Sequence, residues 1–119
     1  MPFTAINLRR MVHLFSYGTL QQDGVQMSSF GRLLKGVPDA LPGWKSEMVE
    51  ITDAQVLAKS GMRFHPIVVP ASASDEVTGM VFEITEDELA SADRYEVADY
   101  KRIAVRLKSG TDAWVYVRA

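Results

Sequence analysis

The sequence predicts a single α+β domain, a mainly antiparallel or mixed sheet with two helices. Three observations carry this. Val12–Phe15 and the longer run VTGMVFEI, Val77–Ile84, are rich in β-branched and aromatic residues. Lys101–Leu107 and Trp114–Val117 flank KSGTDA, a loop of hairpin length. Between these β regions, Thr85 opens a segment with the start signals of a helix. A chain of 119 residues can bury one substantial core but not two.

Taken in order, residues 1–10, MPFTAINLRR, read as an N-terminal extension: either an over-long start or a short arm that pairs with the sheet. The domain proper spans residues 11–119. Val12–Phe15 is the first strand and Gly18 punctuates its end. Gln21–Leu34 is weakly helical, with Val25, Met27, Phe30, Leu33 and Leu34 suited to one face and Gly24 and Gly31 acting against it. VPDALPGW, Val37–Trp44, reads as turn chemistry, and Lys45–Ile51 as a strand. From Thr52 to Ala73 the polar spacing is irregular, and the prolines of HPIVVP, His65–Pro70, confine that run to an edge or a loop. Val77–Ile84 is apolar on both faces near its centre, which predicts an internal strand, and Gly79 predicts a close backbone approach or a bulge. In Lys101–Leu107, Ile103, Val105 and Leu107 share one face while Arg102, Ala104 and Arg106 share the other.

The helix after Ile84 has a cap in Thr85, a capping-box partner in Glu88, and Glu86, Asp87 and Glu88 at the positive end of its dipole. Counting about 100° per residue from Leu89, Ala92 falls about 60° to one side, Asp93 about 40° to the other, and Glu96 about 20° away. Glu96 thus shares the face of Leu89, which packs on the sheet. Burial and the negative end of the dipole both raise a carboxylate pKa. In the other reading the helix ends one residue earlier, and Glu96 turns to solvent or pairs with Arg94, Lys101 or Arg102.

Composition narrows the function classes. Hydrophobic residues make up 47% and charged residues 24%, a globular balance. Thirteen basic against fifteen acidic residues give a net charge of −2, and no basic run tracks a phosphate backbone, so nucleic acid is not an expected partner. Without cysteine there is no disulfide, thiolate metal site or catalytic thiol. No segment reaches the roughly 18 consecutive apolar residues of a membrane span, so no membrane partner is expected and the expected location is cytoplasmic. His13 and His65 stand apart with no clustered ligands, which reads as ordinary imidazoles and no metal. Trp44, Met48, Met62, Phe82 and Trp114 read as core or pocket wall, and Arg63 as a solvated loop arginine.

Tyr17-Gly18-Thr19-Leu20, directly after a buried strand, is the remaining anomaly. Glycine there lets the backbone turn and offer consecutive N–H groups to an anion or a polarised carbonyl, and a tight turn without a ligand uses the same residues. Together, FSYGTL, VTGMVFEI and DELASADRYEVADYKRIAV resemble the γ-glutamylcyclotransferase-like family, including its AIG2-like and γ-glutamylamine cyclotransferase branches. The resemblance covers about Met11–Val117. It implies a small mixed, barrel-like sheet with helices against it and a pocket between the early loop and the late helix.

By that resemblance, Tyr17, Gly18, Thr19 and Leu20 bind the glutamyl group, Glu96 is the catalytic acid/base, and Asp93, Tyr100 and Arg102 fit the surrounding pattern. Tyr116 fits an aromatic of the last strand, and Tyr100 and Tyr116 are further candidates for substrate binding. Ala92 and Val97 depart from the leucine and glycine usual there. The implied reaction closes a γ-glutamyl amide or peptide to 5-oxoproline and releases an amine or amino acid, without a cofactor. The expected partner is that small γ-glutamyl substrate, with the chain a monomer or weak homodimer. A non-catalytic ligand-binding or stress-response module using the same pocket is the alternative. The leaving-group side is expected in variable loops such as Thr52–Ala73.

Overall fold

The computed structural model describes residues 10–119; the predicted extension, apart from Arg10, lies outside the described residues. Strand β1 (Met11–Ser16) leads through a 3₁₀ turn (Thr19–Gln21) into helix α1 (Asp23–Phe30). Then follow β2 (Gly36–Pro42), β3 (Trp44–Glu50), α2 (Ala54–Ser60) and β4 (Phe64–Pro70). The chain finishes with β5 (Glu76–Thr85), α3 (Glu86–Tyr95), β6 (Tyr100–Arg106) and β7 (Asp112–Arg118). Five strands form one sheet in the order β2-β5-β1-β7-β6, and β3 and β4 pair separately as a second sheet. All pairings are antiparallel except β1 with β7, where Leu14 lies opposite Trp114, so the fold is α+β with a mixed sheet. No helix among the described residues is long and apolar enough to cross a membrane.

The period-2 alternation of the central strands divides the core into two clusters, one on each face of the sheet. Leu14, Phe82 and Ile84 join Leu20, Val25, Leu89, Ala92 and Tyr95 under the helices. Their neighbours Phe15 and Val81 point the other way and pack with Leu41, Val68, Val115 and Val117. Strand β1 is therefore buried on both faces, Leu14 at 0% and Phe15 at 1% exposure. At about 25 cal/mol per Å² of apolar surface, such central strands carry much of the hydrophobic stabilisation.

The sheet is barrel-like without closing into a barrel. Its edge strands β2 and β6 do not pair with each other. Instead, the loop after β6 meets β2: Lys108 N–H donates to the Ala40 carbonyl at 2.9 Å, and the Ser109 hydroxyl and N–H donate to the Asp39 carboxylate.

Several expectations need correction. The stretch read as a turn, Val37–Trp44, is mostly β2; its prolines are accommodated because β2 is an edge strand paired only with β5. The chain turns at Gly43 instead, with φ 86°. Among the described residues there are three α-helices where two were expected. Helix α2 lies in the segment read as irregular: the Asp53 carboxylate caps it by accepting from Gln55 and Val56 N–H at 2.9 and 3.1 Å, and Gly61 ends it. Helix α1 is shorter than Gln21–Leu34 because Gly31, at φ 70°, stops it, which leaves Leu33 outside it and exposed.

Met48 and Met62, read as core or pocket wall, are exposed at 59% and 40%, and Met27 of α1 is likewise exposed, while other expectations agree with the structure. Val77–Ile84 is internal, between β2 and β1. β4, with its two prolines, has one strand partner. The α3 capping box is complete, Thr85 and Glu88 exchanging bonds of 2.9 and 3.1 Å. Gly79 marks a close approach: a Cβ there would lie 2.3 Å from the Ser16 carbonyl oxygen and 2.8 Å from the Phe15 ring. At Gly18 a Cβ would meet only the edge of the Pro66 ring, at 3.0 Å. Gly79→Ala is therefore expected to cost about 2–3 kcal/mol, since backbone must move, and Gly18→Ala about 1 kcal/mol or less. Urea denaturation of the two variants checks the order; equal losses would contradict it.

Candidate active site

The sequence of β1 fixes one wall. The strand is anchored by Leu14 and Phe15 and held at Ser16 by Gly79, so the chain leaves the sheet at Tyr17 and coils into the 3₁₀ turn. Thr19 and Leu20 are buried. The turn's own hydrogen bonds begin with Gln21 N–H to the Gly18 carbonyl and Gln22 N–H to that of Thr19. The N–H groups of Thr19 and Leu20 thus have no partner within the turn, as at the start of any helical segment.

Helix α3 supplies the opposite wall. It ends at Tyr95, and Glu96 adopts extended backbone (φ −71°, ψ 137°) while its N–H still donates to the Ala92 carbonyl at 3.1 Å. The helix does end one residue earlier, as one sequence reading has it, yet Glu96 makes no ion pair with Arg94, Lys101 or Arg102 among the described residues. Instead Glu96 lines a cavity with Phe15, Ser16, Tyr17, Gly18, Thr19, Leu20, His65, Pro66, Tyr100 and Tyr116. The empty space along it, including the part open to solvent, is about 320 Å³. Glu96 also borders a second hollow, beside Lys59 and Arg94.

Every residue that the sequence singles out for the site therefore lies on one cavity. Sequence reasoning missed Phe15, Ser16, His65 and Pro66. Ser16 and Phe15 flank the loop motif and were within reach of it; nothing in the sequence links the His-Pro dipeptide to Glu96.

Burial drives the electrostatics. Desolvation, with the charge of Asp93 added, pushes the Glu96 carboxyl up to about 8 from 4.5. Burial likewise holds the phenols of Tyr17, Tyr100 and Tyr116 protonated well above the ordinary tyrosine range. Their protons are committed: Tyr17 donates to the Tyr116 carbonyl, Tyr100 to the Pro66 carbonyl at 2.8 Å, and Tyr116 to Asp93 Oδ1 at 2.7 Å. Asp93 also accepts both arms of Arg102 at 2.8 and 3.1 Å, and that guanidinium stacks 4.3 Å from the Trp114 ring centre. Behind the loop, Thr19 Oγ1 and the Tyr95 hydroxyl lie 2.7 Å apart. The result is a desolvated carboxyl, free to exchange a proton, in a wall of fixed phenols.

A carboxyl raised on folding binds a proton that the unfolded chain has lost. Its contribution to stability is fully present below about pH 4.5 and is lost as pH rises through about 8. Relative to the parent, Glu96→Gln is expected to be little changed near pH 4.5 and more stable by about 2–4 kcal/mol above pH 8. Urea unfolding at a series of pH values checks this; a parent and variant with parallel profiles would contradict it.

The sequence model described as gamma-glutamyl cyclotransferase, AIG2-like, matches residues 14–119. No curated protein matches the chain by sequence. A solution structure from Arabidopsis thaliana superposes with a TM-score of 0.70 at 21% identity, over 92% of this chain and 62% of that one. The chain thus spans less than two thirds of that relative. A structure named gamma-glutamyl cyclotransferase gives 0.71 at 16% identity, over 92% of this chain and 67% of that one. The crystal structure of an AIG2-like protein from Mus musculus gives 0.60 at 21% identity, over 92% and 78%. At these identities the structural likenesses speak to fold, and the sequence match carries the family: the chain belongs to the gamma-glutamyl cyclotransferase, AIG2-like family.

Proposed function

We propose that the protein cyclises a γ-glutamyl amide or peptide to 5-oxoproline, with Glu96 carrying the proton. The observation that supports this most is a single desolvated carboxyl facing the Tyr17–Leu20 backbone across one cavity. The substrate's neutral α-amine attacks its own γ-carbonyl carbon. As the new C–N bond forms, the surplus amine proton passes to the Glu96 carboxylate. Glu96 then returns that proton to the leaving nitrogen as the old C–N bond breaks, giving the five-membered lactam and a free amine.

Nucleophile and electrophile belong to one molecule, so holding it folded supplies much of the rate and no protein nucleophile is required. One carboxyl acting first as base and then as acid needs a pKa near the working pH, which its burial provides. In this reading the N–H groups of Thr19 and Leu20 serve the glutamyl carboxylate or the developing oxyanion. The phenyl rings of Tyr17, Tyr100 and Tyr116 shape the wall around the glutamyl chain. A binding module without turnover has no need of a carboxyl kept out of water, which costs stability at neutral pH.

Incubation with a panel of γ-glutamyl amines, dipeptides and isopeptides, read by mass spectrometry, is expected to give 5-oxoproline from at least one. Glu96→Gln should fold and lose about 10²–10⁴-fold in turnover. Undiminished 5-oxoproline from that variant would refute the role of Glu96, and no product from any member of the panel would refute cyclisation.

The pH profile gives a separate reading. As the base must be ionised, kcat/KM should climb as pH rises through about 8. Asp93→Asn removes a negative neighbour, lowers the Glu96 pKa and should move that rising limb to lower pH. A limb that stays put in Asp93→Asn would contradict the charge coupling.

A further inference from the structure

His65, on β4, has no role in the reaction as derived, yet it lines the same cavity as Glu96 and is only 3% exposed. Its Nε2 lies 3.0 Å from Ser60 Oγ and 3.1 Å from the Met62 carbonyl oxygen. A carbonyl only accepts, so Nε2 carries the proton and donates. Burial holds the imidazole below its usual range, the Met62 carbonyl opposing in part, so the ring stays neutral near pH 7. A neutral ring with its proton on Nε2 leaves Nδ1 as a lone-pair acceptor.

Nδ1 makes no hydrogen bond among the described residues. It is not sealed off either, because the one buried side-chain nitrogen or oxygen without a partner among them is Ser29 Oγ. His65 lines the cavity that Glu96 also lines. The three phenols around it have given their protons to protein acceptors, and Glu96 is the group that changes protonation. The cavity thus holds one mobile acceptor and one fixed one.

An amine that attacks a carbonyl must shed one proton and keep another. The shed proton has Glu96, and the retained N–H needs an acceptor that does not take it. We propose that His65 is a substrate-orienting residue whose Nδ1 accepts the retained N–H of the attacking amine, aiming the nitrogen lone pair at the γ-carbonyl. No proton transfers to the ring, and Ser60 and the Met62 carbonyl keep its tautomer fixed. This rests on the cyclisation reading for the identity of the amine, but the contact itself is a property of the cavity.

The product retains that N–H, so binding tests the contact without turnover. 5-Oxoproline is compared with its lactone isostere, in which a ring oxygen replaces the N–H and faces Nδ1 with a lone pair. The parent is expected to bind the lactam at least about tenfold more tightly. His65→Gln, whose amide occupies the Nε2 side, should bring the two within about twofold.

With only two histidines in the chain, ¹⁵N spectra of the parent give a readout that needs no variant. His65 should show a protonated Nε2 and an unprotonated Nδ1 that moves upfield on 5-oxoproline addition, with His13 unmoved. Equal affinity of the parent for lactam and lactone, binding of neither, or a Nδ1-protonated His65 overturns the proposal. Turnover assayed in parallel separates the two claims. Turnover with no lactam preference leaves cyclisation standing and removes His65. Lactam preference with no turnover of any γ-glutamyl compound leaves the His65 contact and removes cyclisation.

Discussion

The cavity depends on a backbone-to-backbone contact: the Ser16 carbonyl of β1 occupies the space where any side chain at position 79 would begin. Because β5 yields that space, β1 can lie between β5 and β7 with both faces buried and still end abruptly at the pocket. The position of the Tyr17–Leu20 loop follows from where that strand stops. Its back is then held by Thr19 against Tyr95 and its front by Pro66 against Gly18. Both contacts that shape the loop come from the chain itself.

The second constraint is electrostatic. Bringing a carboxyl to the end of α3 with no ion-pair partner among the described residues costs free energy, and the charge of Asp93 increases the cost. Asp93 is in turn anchored by Arg102 and Tyr116, so the unfavourable neighbour is held in place by favourable bonds to β6 and β7. The helix start shows the opposite design. There Glu88 accepts the Thr85 N–H and a two-pronged bond from Arg32, and the guanidinium holds its carboxyl below the usual range. One helix thus carries a stabilised carboxylate at its head and a destabilised one at its foot, and carboxyls of the second kind are the ones that concentrate at functional sites.

Legibility in the sequence followed the strength of local signals. β1, β5 and the β6–β7 pair were readable because alternation and β-branched content act over several residues, and α3 because its cap is local. β2 was lost to its prolines, which local chemistry assigns to a turn and an edge position tolerates. α2, at seven residues, is too short for periodicity, although Asp53 and Gly61 mark its ends. In the site, a strand interrupted by glycine and a carboxylate on an apolar face each left a bland reading open, and the family resemblance is what singled out the loop and Glu96. His65 was not legible, since its strand is positioned by pairing with β3, where it lies opposite Val49, and that long-range pairing is not written near it.

The cavity draws its wall from Phe15 at one end of the described chain and Tyr116 at the other, with His65 and Glu96 from the middle. No contiguous fragment contains it, so a ligand that needs all these walls binds only the completed fold. Such a ligand adds to the stability of the entire domain by mass action, by about 2.7 kcal/mol at a hundred times its dissociation constant. It also adds nothing to any partly folded state that lacks β7, which makes occupancy of the pocket a report on global folding and a means of slowing the loss of the whole molecule.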